Sequence, residues 1–191
     1  MAILKREPEL FPEGLFELPA ADHPWWVARV RSRHEKVLAR HLLPFDVPYY
    51  LPQSENRTRR ANRSFVSHLP LFPGYLFFRG DRRARVIALQ SQVVTDILTV
   101  HDQSLLAAEL HQLRLLQQSG ASILPVRSFF PGDGVLVTEG PFRGYSGVVL
   151  REKGYSRLIV SISFLRKAVA VEFEAFALAA DRRLGSRAAV A

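Results

Sequence analysis

The chain has 191 residues, 48% of them hydrophobic and 23% charged, so it can build one packed core or two small ones, and disorder along its whole length is excluded. It contains no cysteine, which removes disulfides, zinc–thiolate centres and thiol nucleophiles together. Lys and Arg number 26 against 18 Asp and Glu, a net charge of +8, which suits contact with phosphate backbones as well as it suits plain solubility.

Met1 to Asp22 sets Glu7, Glu9, Glu13, Glu17 and Asp22 among prolines and has no apolar core of the kind a signal peptide needs. No apolar run reaches the roughly 18 residues of a membrane span. The chain therefore reads as cytoplasmic, with no membrane partner, and the sequons at Asn56 and Asn62 read as chance in an Arg-rich loop.

Trp25 to Arg31 is β-rich and predicts a first strand. Ser32 stands three residues before Glu35, the spacing of a capping box, so a helix is expected from there, with Val37, Leu38 and Leu42 on its apolar stripe and Pro44 at its end. Val47 to Leu51 predicts a second strand. Gln53 to Pro70 is polar and rich in Arg, a long loop or a projecting hairpin. Gly74 to Arg79 predicts a third strand, Asp81 caps a short helix through Leu89, and Val93 to Val100 predicts a fourth strand. Ser104 is expected to cap a last helix carrying Leu106, Leu110, Leu113 and Leu116 or Gln117 on one stripe. The order β-α-β-β-α-β-α implies an α+β fold, a ferredoxin-like sandwich with helices on one face of the sheet.

Residues 119–128 have little periodicity and read as a linker. Beyond them the pattern changes to short strands. Val135 and Val137 alternate, a turn follows at Glu139 to Gly144, and Val148 to Leu150 returns. Residues 151–154 turn again, then Leu158, Val160 and Ile162 share one face and Val169, Val171 and Phe173 another. Four or five strands in so short a span are expected to close into a small barrel that hides its edges. The expected divisions are an extension at 1–23, a first domain at 24–118, a linker at 119–128, a second domain at 129–180 and a tail at 181–191.

Little in the sequence suggests chemistry. The histidines at 23, 34, 41, 68, 101 and 111 show no metal-ligand spacing. Gly144-Tyr145-Ser146-Gly147 lacks the spacing of a nucleophile elbow, and there is no phosphate-binding glycine loop. No enzyme activity, metal or cofactor is expected.

Three features suggest binding instead. Pro70 to Phe78 (PLFPGYLFF) sets a bend before an aromatic strand, and Trp25 and Trp26 lie on the first strand. Such a concentration of rings exceeds what one small core needs, and rings that stay exposed anchor protein partners, although alternation sends about half of them inward. Arg57, Arg59, Arg60 and Arg63, with Arg82, Arg83 and Arg85, suit phosphate contact or a solvated charge run equally. Phe130-Pro131-Gly132-Asp133 and the run through Gly140, Pro141, Phe142, Gly144 and Gly147 supply the glycines that tight barrel corners require.

Taken as words, WWV at 25–27, LFPGYLFF at 71–78 and PGDGVLVTEGPFRGYSGVV at 131–149, followed by RLIVSI and VEFE, resemble the two-domain NusG family of transcription factors. The resemblance runs from Trp25 to Phe173. It implies an N-terminal NGN domain and an SH3-like C-terminal KOW barrel. Its members bind the clamp helices of the largest RNA polymerase subunits, bridge the nucleic-acid cleft and suppress pausing. On that pattern Trp25, Trp26, Phe72, Pro73, Gly74 and Tyr75 are the polymerase-facing set. The Arg residues lie where family members approach upstream or non-template DNA. Gly140, Pro141, Phe142, Gly144 and Gly147 form the KOW motif, and Phe164, Leu165 and Arg166 the loop that meets a ribosome or another factor. PLFPGYLFF after a basic loop is more similar to the specialised RfaH, UpxY and LoaP types than to housekeeping members. Leu98-Thr99-Val100-His101 departs from the glycines usual after the fourth strand, and Leu165-Arg166 departs from the aromatic and glycine usual in the docking loop. The alternative is a ribosome-associated or RNA-binding KOW protein that does not act on polymerase.

Overall fold

The computed structural model describes residues 8–19, 22–60, 63–119, 123–126, 134–137, 146–152, 155–165, 167–173 and 178–180, with the backbone alone for 56–60, 63–65 and most positions beyond 122. Its contacts gather into two units, Met1–Ala107 and Ala108–Ala191. The first unit contains strands β1 (Leu10–Phe11), β2 (Trp25–Val30), β3 (Tyr49–Tyr50), β4 (Gln53–Arg60), β5 (Arg63–Pro70), β6 (Tyr75–Arg79) and β7 (Val94–Thr99), with helices α1 (Glu35–Leu42) and α2 (Arg82–Gln90). Five strands form one sheet in the order β1-β3-β6-β2-β7, antiparallel throughout. Without β1 this is the ferredoxin-like order expected of the four predicted strands. β4 and β5 pair as a separate hairpin from Gln53↔Pro70 to Arg60↔Arg63, the second of the two forms expected for that segment.

Alternation along the strands sorts the side chains onto two faces. Ala28, Val30, Leu76, Phe78, Tyr49 and Ile97 meet Leu38, Ala39 and Leu42 of α1 and Ala84, Ile87 and Ala88 of α2 in one core. The other face is also closed. Trp25, Val27, Tyr50 and Phe77 are buried there, and Phe16 of the N-terminal arm lies 5.8 Å from the Trp25 ring and 5.7 Å, edge-on, from Tyr50. Phe72 meets Phe77 at 5.9 Å and a right angle. Burying each such side chain contributes about 1.5–3 kcal/mol. The extension at 1–23 is thus part of the folded unit from residue 8 onward, adding β1 at the sheet edge and a 3-10 turn at Leu15–Glu17.

Arg79 at the end of β6 anchors that arm. Its guanidinium, 3% exposed, donates to Leu15 O at 2.9 Å, Pro19 O at 3.2 Å and, through Nε, His23 O at 2.8 Å, and stacks 5.2 Å from the Trp25 ring. Burial lowers its pKa from the ordinary arginine value, but a guanidinium stays charged and donates throughout the physiological range.

Two caps differ from expectation. Ser32 does not cap α1: His34 occupies the N-cap position and makes no side-chain cap bond, its Nδ1 sitting 2.8 Å from Ser32 O, while Glu35 turns inward instead of back to its own helix. Asp81 does cap α2, accepting from Ala84 N at 3.0 Å. The last helix, α3 (Gln103–Gln118), is capped by Asp102 and not by Ser104. Asp102 Oδ1 accepts from Leu105 N at 2.9 Å and from Ser104 Oγ at 2.8 Å. The expected leucines, 106, 110, 113 and 116, are buried on one stripe of α3.

The second unit holds β8 (Ile123–Val126), β9 (Gly134–Val137), β10 (Ser146–Glu152), β11 (Tyr155–Ile162), β12 (Lys167–Phe173) and β13 (Leu178–Ala180). They form an antiparallel sheet in the order β13-β9-β10-β11-β12-β8. That is six strands where four or five were expected, and the sixth, β8, falls inside the span read as a linker. No pairing between β8 and β13 is found among the described residues.

Arg79→Met leaves three carbonyls of the arm without their donor, and the expected loss of stability is on the order of 3 kcal/mol. Urea titration measures it, and limited proteolysis should cut within residues 8–24 faster than in the wild type. The Leu105 amide first, and then the Ser104 hydroxyl, hold the Asp102 carboxyl below its ordinary pKa. A depressed carboxyl contributes stability above its unfolded-state pKa and loses it as pH falls through the lower folded-state value. Asp102→Asn should therefore flatten the acid side of an unfolding profile followed by circular dichroism, with little change in shape at neutral pH.

Candidate docking site at the sheet end

The face of the sheet opposite α1 and α2 closes at one end and opens at the other. Register places three rows across it. Trp25 pairs with Arg79, Val27 lies between Phe77 and Leu98, and Arg29 lies between Tyr75 and Asp96. The first row is sealed by the arm and by Gln103, which accepts from Trp25 N at 2.6 Å and donates to Trp25 O at 3.0 Å. The third row faces outward: Arg29 and Asp96 are exposed and Tyr75 is half-buried.

The turn leading into β6 borders that row. Phe72 is buried, Pro73 exposed and Gly74 half-buried. Gly74 has φ 85°, a conformation that a Cβ disfavours by roughly 1–2 kcal/mol. Its carbonyl accepts from Val30 N at 2.9 Å, and Tyr75 N donates to Phe72 O at 3.1 Å. Its own amide donates to Oε1 of the buried Glu35 at 2.6 Å. Arg31 and Arg33, both exposed, lie on the loop that runs from β2 to α1. The end of the sheet therefore presents an aromatic ring and a proline beside arginines, an arrangement suited to gripping a protein surface that carries apolar side chains and acidic groups.

The sequence-expected set divides accordingly. Pro73, Gly74 and Tyr75 come together at the open end. Trp25 and Phe72 do not, since each is only 2% exposed, and both serve the core beneath. Trp26 falls on the helix side of the sheet, half-buried, with Nε1 donating to Gly80 O at 2.9 Å and the Arg85 guanidinium 5.4 Å over its ring. Arg82, Arg83 and Arg85 are all exposed on α2, Arg85 also covering the Trp26 ring. Arg57, Arg59, Arg60 and Arg63 lie on the two strands of the hairpin, described there by backbone only. Gly140, Pro141, Phe142, Gly144 and Arg166 lie outside the described residues. Gly147 pairs with Val135 in the second unit, and Phe164 and Leu165 are half-buried in a 3-10 turn at Ser163–Leu165.

Arg29, Asp96 and Glu35 were not singled out from the sequence. Arg29 sits at the outward phase of a strand that otherwise buries its residues, which is a legible signal. Asp96 joins it only through strand register, and Glu35 had a plausible alternative partner in Ser32.

Beside α2 is a cleft of about 420 Å³, lined in part by Asp22, Phe45, Asp46, Asp81 and Arg83. Among the described residues, no group of His, Cys, Asp or Glu forms a metal-binding cluster, and no helix is long and apolar enough to cross a membrane.

Phe72→Ala should cost about 3–5 kcal/mol, as removal of a fully buried ring does. Tyr75→Ala, half-exposed, should cost less than half as much. Thermal unfolding of the two variants separates core ring from surface ring.

Residues 23–114 match the family model described as "NusG: Transcription termination factor nusG". Among solved structures the chain is similar to "Domain interaction in Thermotoga maritima NusG", at 19% identity and a TM-score of 0.48, covering 80% of this chain and 94% of that one. It is also similar to "Crystal Structure of MjSpt4:Spt5 complex" in conformation A (13% identity, TM-score 0.30, 83% of this chain and 99% of that one). Conformation B gives 15% identity and a TM-score of 0.28, over 82% of this chain and 97% of that one. No curated protein matches it.

Proposed function

We propose that the chain is a NusG-type transcription elongation factor that docks on the clamp helices of RNA polymerase through its first unit and carries out no catalysis. The observation that carries this reading is a coincidence of place. The span that matches the family, 23–114, contains the outward end of the sheet, where Pro73 and Tyr75 stand beside Arg29 and Asp96. Few residues are needed for such a grip, because interface energy concentrates in buried aromatic and arginine anchors. Docking there acts by differential binding: a factor that prefers the closed, elongating clamp shifts the population away from the paused one.

Within that role, we read the chain as a specialised antitermination paralog, on the strength of PLFPGYLFF following the basic segment. The hairpin of β4 and β5, with exposed Arg82 and Arg83 on α2, supplies positive charge for upstream or non-template DNA. Phosphate contacts of this kind position a protein without reading sequence. The second unit is assigned as the KOW domain that meets a ribosome or a further factor.

In transcription on a template with a strong pause, the protein should shorten pause lifetime at least several-fold. Tyr75→Ala and Arg29→Glu should each abolish most of that effect while leaving the fold intact by circular dichroism. Unchanged pausing with the wild-type chain, together with co-purification of ribosomes in place of polymerase, would instead favour an RNA-binding role.

A further inference from the structure

We propose that Glu35 is a positioning residue for docking: its carboxylate holds the Pro73-Gly74-Tyr75 turn in the shape that presents Pro73 and Tyr75 outward. This rests on the reading of that turn as a polymerase-docking element. Glu35 is 4% exposed, and among the described residues the hydrogen bond its carboxylate accepts is the 2.6 Å contact from Gly74 N to Oε1. A buried carboxylate is costly unless charge-assisted hydrogen bonds offset its desolvation, and those bonds are about twice as strong as neutral ones. Glu35 is drawn inward to the turn although it opens α1, where a solvent-facing Glu would serve the helix dipole equally well.

The turn needs such a hold. Gly74 sits at φ 85°, a conformation also open to other backbone shapes because glycine has no Cβ to restrict it. Space does not enforce the shape either, since a Cβ added at Gly74 would meet Val30 O no closer than 3.8 Å. Tyr75 N closes the turn on Phe72 O at 3.1 Å, and the Gly74 peptides are held from both sides: Gly74 O takes Val30 N at 2.9 Å, and Gly74 N is taken by Glu35. Without the Glu35 bond nothing among the described residues holds the amide of the Pro73–Gly74 peptide, that peptide can tilt within the turn, and Pro73 and Tyr75 lose their fixed relation to Arg29. The ordering then falls on the binding step and weakens it. The carboxylate also ties the start of α1 to the start of β6, so the helix layer and the docking row share one contact.

Two substitutions separate the hydrogen bond from the charge. Glu35→Gln keeps an acceptor at the same reach and loses the charge; Glu35→Asp keeps the charge and withdraws the oxygen. Full-length protein is titrated onto core RNA polymerase by fluorescence anisotropy, and the Gly74 amide is followed by proton–nitrogen NMR. Glu35→Gln should bind within about threefold of wild type with the Gly74 amide proton still shifted downfield. Glu35→Asp should bind at least tenfold more weakly, with that proton moved upfield and the remaining spectrum folded. Wild-type affinity in a Glu35→Asp chain whose Gly74 amide has been released would overturn the positioning role while leaving the docking reading in place. Weakened binding by Glu35→Gln with its Gly74 amide proton still shifted would also overturn it, since charge and not the turn would then be responsible. Absence of binding by the wild type, with its amide shift intact, would overturn the docking reading and the role built on it.

Discussion

A single cation determines how much of the first unit is interior. Arg79 brings a guanidinium into a site with no carboxylate partner among the described residues, and three main-chain carbonyls of the arm satisfy it. Burying a charge without such acceptors would cost several kcal/mol, so the arm is required by the cation as much as the cation is required by the arm. Once residues 15, 19 and 23 are held, Leu15 and Phe16 lie over Trp25 and Tyr50, and a sheet face that would otherwise be open becomes core. The same arm provides β1, whose pairing with β3 protects a strand that would otherwise expose its edge. On that face of the sheet, the row of Tyr75, Arg29 and Asp96 is left outward.

Much of this was legible in the residues, and the reason is periodicity. Strands β2, β6 and β7 alternate between two kinds of neighbour, α1 and α2 carry their apolar residues at helical spacing, and the four leucines of α3 repeat on one stripe. Those signals are local, and they survive folding because each is set within one element. The β4–β5 hairpin was one of two forms read for a polar, Arg-rich segment, the other being a long loop. In the second unit β9 to β12 follow from the same alternation, whereas β13 was not read and β8 could not be, because Ile123–Val126 contains Pro125 and shows its strand character only through its partner β12.

What was not legible depends on contacts between distant segments. Ser32 and Glu35 have capping-box spacing, but Gly74 offered the carboxylate a buried amide, and a charge-assisted bond in the interior is worth more than a reciprocal cap at a solvated helix start. Asp102 displaced Ser104 as the cap of α3 for a simpler reason: it is one residue ahead of the helix, and its oxygen reaches both the Leu105 amide and the Ser104 hydroxyl. The largest misreading concerned the rings. Trp25 and Phe72 entered the polymerase-facing set by resemblance, while alternation sent only about half of the rings inward. In fact the sheet has two cores, and the second depends on an acidic, proline-rich arm whose sequence shows no periodicity.

The burial of those two rings makes the proposed docking site smaller and better defined. A broad apolar face would bind many partners; a narrow row with one half-exposed tyrosine, a proline and alternating charge selects by geometry and by sign. Selection of that kind works only if the row is rigid before contact, because each loosened side chain or turn subtracts from the affinity. Phe72 and Tyr75 lie three residues apart, and the bond from Tyr75 N to Phe72 O closes the turn between them. The buried ring locks the turn into the core at Phe77, and the glutamate of α1 locks it from the other side. The outward residues can thus be few because the inward ones, Phe72, Gly74 and Glu35, have already taken up the cost of ordering them.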